Sequence, residues 1–176
     1  GNILAFSTDT TGYRQYTLQF KDLRTGQILP DKVERVTSFV WTPDNKTVFF
    51  GTEDDVSKRS DIVWRHVLGS GEPVQVFNEK DVLFNVGVGR SRDGKMLFIG
   101  SGAKTSTEYR YLSSDDPNGD WKLVTPRREG HEYDVNFDMG EFYIRTNKDA
   151  ENFRVVKAPA NDPSEKNWKD FIPSNP

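Results

Sequence analysis

Cysteine is absent from the chain, which excludes a disulfide scaffold, a thiolate metal site and a cysteine nucleophile. Histidine and methionine are scarce, with two of each. No apolar run approaches the ~18 residues that suggest a membrane-spanning helix, so no membrane partner is expected. No charged start followed by an apolar stretch marks a secretory signal. Charge of one sign is lacking too: 24 Lys and Arg are interspersed with 27 Asp and Glu, for a net charge of −3. That mixture offers no basic stripe, which argues against a nucleic-acid partner. Together these absences fit a cytoplasmic chain without a cofactor, or a periplasmic one if an upstream signal has been removed.

What the chain does have is aromatic side chains. Twelve Phe, six Tyr and four Trp stand in 176 residues, against a hydrophobic share of 34% and a charged share of 29%. Large rings on a polar background suit many short amphipathic strands better than one thick sheet covered on both faces.

The strand-like segments repeat. Leu4-Ala5-Phe6-Ser7, Val48-Phe49-Phe50-Gly51, Leu97-Phe98-Ile99-Gly100 and Phe142-Tyr143-Ile144-Arg145 start 44, 49 and 45 residues apart. Each is followed by a second run: Tyr16 to Leu18, Ile62 to Trp64, Tyr109 to Tyr111 and Phe153 to Val155. A third run follows: Gln27 to Leu29, Val74 to Phe77, Trp121 to Val124 and Trp168 to Ile172. In three copies a further strand precedes the first, over Val36–Trp41, Leu83–Val88 and Glu132–Phe137. Turn-forming residues separate the pairs at Pro43 to Lys46, Arg92 to Lys95 and Asp138 to Gly140. Four short strands per ~45 residues is the period of a propeller blade. An antiparallel sandwich also places strands every ~8 to 12 residues, but strand-by-strand agreement of the copies favours the propeller.

The expectation is an all-β partial β-propeller with three complete four-stranded antiparallel blades and a three-stranded remnant. Residues 1–30 form the incomplete blade; 31–80, 81–128 and 129–176 form the others. Closed propellers have about four or more blades, so the chain reads as part of a longer parent whose exposed blade faces invite self-association.

Several stretches resemble the propeller of the prolyl oligopeptidase family of serine peptidases. They are Asp9 to Leu23, Glu34-Arg35-Val36 with Phe39 to Lys46, and Trp64-Arg65-His66-Val67-Leu68-Gly69, which is similar to that family's Tyr-x-His-x-Leu-Gly pattern. Thr105 to Leu112, Gly130 to Val135, Phe142 to Asn147 and Asn152-Phe153 resemble the oligopeptidase B branch more narrowly. The resemblance covers nearly the whole chain. It implies a two-domain parent whose α/β-hydrolase domain carries a Ser–Asp–His triad and cleaves short peptides after Arg or Lys, with the propeller as a filtering cap. The partners it implies are that catalytic domain and, in the parent, short peptide substrates.

The chain carries no chemistry of that kind itself. No Gly-x-Ser-x-Gly elbow is present; Gly69-Ser70-Gly71 and Gly100-Ser101-Gly102 come nearest and fall at expected turns and strand ends. His66 alternates with its neighbours along a strand, and His131 beside Glu132 lacks the three or four converging ligands a metal needs. Glu53-Asp54-Asp55 precedes Lys58-Arg59 between two strands, as a solvated loop or as part of an interdomain rim. Glu53, Asp54 and Arg59, with Asp9, Arg14, Arg90 and Arg92 in similar placements, are the candidates for contacts with a catalytic domain or substrate. Asn45-Lys46-Thr47 matches a glycosylation acceptor but reads as a hairpin turn, and Ser91 to Lys95 shares turn chemistry with the Asp-box of sialidases. Two rival functions stand beside the peptidase cap. One is a stand-alone protein-binding propeller that self-assembles. The other is a carbohydrate-acting propeller needing convergent carboxylates such as Glu53, Asp54 or Glu132.

Overall fold

Alternation of apolar and polar residues along short runs dictates strands, and the computed structural model of residues 1–174 consists of them. The last two residues of the 129–176 blade lie outside the described residues. Strands β1 (Ile3–Thr8), β2 (Tyr16–Asp22), β3 (Ile28–Trp41), β4 (Thr47–Glu53), β5 (Ser60–Val67) and β6 (Val74–Asn78) form one sheet in chain order. Strands β7 (Asn85–Arg90), β8 (Met96–Gly102), β9 (Thr107–Ser113) and β10 (Lys122–Leu123) form a second. Strands β11 (Tyr133–Asp138), β12 (Glu141–Thr146), β13 (Arg154–Pro159) and β14 (Lys169–Ile172) form a third. A single 3-10 turn, Glu165–Asn167, is the only helical element among the described residues. The chain divides into two compact units, Gly1–Val88 and Gly89–Pro176, and the division falls inside β7.

The expected separate strands near 27–29 and 36–41 are one strand, and the boundary placed between 30 and 31 falls inside it. The first half of β3 pairs with β2 (Val33 opposite Leu18) and its second half with β4 (Phe39 opposite Phe50). Val36 has partners on both sides, Tyr16 and Thr52. Beside it Arg35 adopts φ 57, and the register shifts on both flanks, so the strand redirects without ending. Pro30 is tolerated because the β2–β3 register also shifts between Gln19 and Lys21, where no ladder bond asks for its missing N–H. Other expected strands shift at their ends: β11, β13 and β14 start one residue late, and two places move by more. β7 begins at Asn85 instead of Leu83, and the Trp121–Val124 run shortens to Lys122–Leu123.

Each unit has its own core. In the first, Leu18 and Phe20 alternate on β2 and pack with Val36, Val48 and Phe50, and Trp41 meets Phe20 edge-on at 5.7 Å. In the second, the fully buried Phe142 has Phe98, Tyr111 and Phe137 set edge-on around it at 6.5, 4.9 and 5.0 Å. Such ring pairs add ~0.5–1.5 kcal/mol each beyond their buried area.

The hairpin turns repeat the same chemistry. Asp44 Oδ1 accepts from the Thr42 hydroxyl (2.6 Å) and the Lys46 and Thr47 amides (2.8 Å each). One repeat later Asp93 Oδ1 accepts from the Ser91 hydroxyl (2.7 Å) and the Lys95 amide (3.0 Å). Burial pushes the Asp44 carboxyl up, but the Thr42 and Thr47 hydroxyls and the amides outweigh it and bring it down to about 2. Thr47 is buried with its hydroxyl on Asp44, as a hairpin requires. The third hairpin turns on Met139 and Gly140, both at positive φ, as a two-residue turn between twisted strands demands.

Candidate functional site

The connection between β4 and β5 gathers three of the seven candidate residues. Asp54 Oδ1 accepts from the Val56 amide (3.1 Å), the Ser57 amide (2.7 Å) and the Ser57 hydroxyl (2.8 Å). The Ser57 amide and hydroxyl in particular hold its carboxyl below the usual range. Backbone bonds from the Asp54 amide to Arg59 O (2.8 Å) and from the Lys58 amide to Asp54 O (3.1 Å) close the loop, with Lys58 at φ 58. Asp55 forms ion pairs with Arg35, where β3 redirects, and with Lys58 at 3.7 Å. Glu53 ends β4 opposite Ser60, and its Oε1 is buried without a hydrogen-bond partner among the described residues.

Arg59 reaches away from the loop. Its Nη1 donates to Phe84 O (2.8 Å) and Asp81 O (3.3 Å), and its Nη2 to Glu79 O (3.0 Å) and Asp61 Oδ2 (3.3 Å). The side chain is 15% exposed. One guanidinium thereby clamps the β4–β5 connection to the β6–β7 connection, over a cleft of about 570 Å³ lined by Asp54, Ser57, Lys58, Asp61, Val82 and Asn85. Arg59 stands out in the sequence but Val82, Leu83 and Asn85 do not: Leu83 and Asn85 fall in the expected strand Leu83–Val88, and Val82 carries no signal of its own.

The remaining candidates lie elsewhere. Asp9 organises the β1–β2 connection: Oδ1 accepts from the Thr11 hydroxyl (2.8 Å) and the Thr11 and Gly12 amides (2.9 and 3.0 Å), and Oδ2 from the Arg14 amide (2.7 Å). The Thr11 hydroxyl, then its amide, lowers the Asp9 carboxyl. Arg14 sits at φ 61 with an exposed side chain. Arg90 ends β7 exposed, and Arg92 is exposed in the following hairpin with its amide 3.3 Å from Asn136 Oδ1. The carboxylates of Asp9 and Asp54 are thus engaged in shaping their own loops. Among the described residues, no group of three or more His, Asp or Glu is placed to hold a metal ion.

The whole chain, residues 1–176, matches the model of the prolyl oligopeptidase N-terminal β-propeller domain. The chain belongs to that family. It is 38% identical over 174 residues to dipeptidyl aminopeptidase BI of Pseudoxanthomonas mexicana, covering 97% of this chain and 24% of that protein. It is 36% identical over 168 residues to protease 2 of Moraxella lacunata, covering 93% and 24%. The solved structure of oligopeptidase B from Leishmania major superposes with a TM-score of 0.91 at 31% identity, over 99% of this chain and 25% of that one. The chain therefore spans about a quarter of the length of these relatives.

Within this prolyl oligopeptidase propeller segment, both histidines occupy packed positions. His66 Nε2 lies 2.7 Å from Asp31 Oδ1, both side chains almost wholly buried, and Asp31 also accepts from the Gly69 amide at 3.0 Å. Burial raises the Asp31 carboxyl, and the Gly69 amide and His66 more than reverse it. The pair has the acid and base of a triad without its nucleophile, since the Ser70 hydroxyl donates to Val67 O at 2.6 Å. Asp31 carried no sequence signal, lying 35 residues from its partner. His131 stacks on Tyr133 at 5.1 Å, with Nε2 2.9 Å from Thr146 Oγ1 and Nδ1 3.1 Å from Arg128 Nη2. Gly100, in the second Gly-Ser-Gly, is a packing requirement: a Cβ there stands 2.9 Å from Tyr109 Cε1.

Proposed function

We propose that this chain is part of the non-catalytic propeller of an oligopeptidase B-like serine endopeptidase. In that reading it caps an α/β-hydrolase domain, admits short peptides and excludes folded proteins, while the parent cleaves after Arg or Lys. The observation that carries this is the match of all 176 residues to a propeller domain, in relatives about four times as long and named as peptidases. The internal geometry agrees with a scaffolding role: the buried Asp31–His66 pair ties a strand to a turn, and the Asp54 and Asp9 carboxylates hold the backbones of their own loops. That engagement of Asp54 also removes one of the carboxylates a carbohydrate-acting reading needs.

The test compares the isolated chain and its parent on peptidyl-Arg, peptidyl-Lys and peptidyl-Pro aminomethylcoumarins, and on a folded protein. The chain alone gives no turnover; the parent prefers Arg and Lys and leaves the folded protein intact. Turnover by the chain alone, persisting after a serine-reactive phosphonate has silenced contaminating hydrolases, overturns the non-catalytic assignment. Equal cleavage of folded protein and peptide overturns the filter.

A further inference from the structure

The surface that Arg59 assembles is unusually apolar for a pair of solvent-facing connections. Val56 is 90% exposed in the β4–β5 connection, and Val82 and Leu83 are 75% and 72% exposed in the β6–β7 connection. Val82 and Lys58 both line the cleft between these connections. The β8–β9 and β10–β11 connections of the second unit run over 103–106 and 124–132, and their one Val, Leu or Ile is Val124, which is buried. The apolar character is therefore local to the first unit and not a by-product of the repeat.

The presentation is also rigid. The three carbonyls held by Arg59 flank Val82 and Leu83 in sequence, at Glu79, Asp81 and Phe84. Asn85 Oδ1 accepts from the Ser60 amide at 3.3 Å, and the Leu83 amide donates to Asp81 Oδ1 at 3.0 Å. A fixed backbone lowers the ordering cost of docking, and exposed aliphatic side chains gathered on two connections that one arginine joins, with charge beside them, mark an interaction surface. Lys58, Asp55 and Asp61 supply that rim.

We infer that Val56, Val82 and Leu83, held in place by Arg59, form the surface of the first unit that docks against the peptidase domain of the parent chain. This rests on the proposed two-domain reading. The occupant follows from size: about three quarters of each relative's length lies outside the segment this chain matches. Arg59 acts as a positioning residue beneath the surface, and the contact itself is aliphatic with a charged rim.

Thiol labelling of the full-length parent tests it. The variants Val82→Cys and Leu83→Cys, with Leu23→Cys in the β2–β3 connection as a control, are reacted with a maleimide in the native state and in urea. The unsubstituted parent supplies the background. The expected result is labelling slowed at least about tenfold by folding at 82 and 83, and by less than about twofold at Leu23, which is exposed here. Equal native and unfolded rates at 82 and 83 overturn the docking surface. The same samples are treated with a fluorophosphonate, which reports an active-site serine independently. A reactive parent with unprotected thiols keeps the two-domain reading and rejects the surface. Protected thiols in an unreactive parent reject the peptidase domain as the occupant.

Discussion

At the scale of single residues, the polar groups are most informative where burial and a neighbour act together. His131 is buried, and burial first, then the Arg128 guanidinium and Lys148, lower its pKa below the ordinary 6.5, with Glu165 opposing them. Arg128 donates to Nδ1, so the neutral ring is the form that fits. A lowered folded pKa means the unfolded chain binds the extra proton first. The stabilisation is complete above pH 6.5 and is lost as pH falls below it. Urea midpoints should therefore drop between pH 7 and pH 5, and His131→Phe should flatten that step while lowering the midpoint at pH 7; a step of unchanged size would remove His131 as its source. Gly100 makes a steric prediction. With Tyr109 Cε1 at 2.9 Å from an added Cβ, Gly100→Ala should cost about 1–3 kcal/mol by overpacking, read from the same unfolding curves.

At the scale of elements, strands are defined by pairing and hairpins by turn chemistry, and both left traces in the sequence. The Asp44 and Asp93 turns and the Met139-Gly140 turn were legible because their bonds close within a few residues. The continuous course of β3 was not, because Pro30 reads as a break and nothing local announces that Val36 serves two neighbours. The Arg59 clamp and the Asp31–His66 bond were hidden for the same reason: their partners lie about 20 to 38 residues away, where only the finished fold brings them together. Asp31→Ala should leave both the His66 ring and the Gly69 amide without an acceptor. The Gly69 amide is exposed and can turn to water, but the His66 ring is buried. A buried unsatisfied group costs about 1–3 kcal/mol, so the variant should lose about 1–3 kcal/mol, whereas an exposed change such as Glu72→Ala should be near neutral. In the second unit, Phe142→Ala removes the ring that three others surround and should cost about 3–5 kcal/mol.

At the scale of the whole molecule, charge is plentiful and almost balanced, and several ion pairs among the described residues sit wholly at the surface. Lys32–Glu34 and Arg145–Asp134 have both members more than half exposed. Exposed pairs contribute little and are screened by salt. Raising the salt from 0.05 to 0.5 M should shift unfolding by less than about 1 kcal/mol, and a larger loss would assign the pairs a greater share than their exposure allows. The family assignment was legible at this scale because the short resembling stretches keep their order along the chain. The docking surface was not, since Leu83 reads as the start of a strand until β7 is seen to begin at Asn85.

The shared strand β3 has a mechanical consequence. A string of separate blades yields to tension one blade at a time, each joint acting as a weak link. Here the joint between the first two is itself a hydrogen-bonded strand, so load applied at Gly1 and Val88 passes straight through it into both neighbours. In an optical trap the first unit should give way in one rupture, releasing about 300 Å of contour at ~3.6 Å per residue, with no plateau at an intermediate extension.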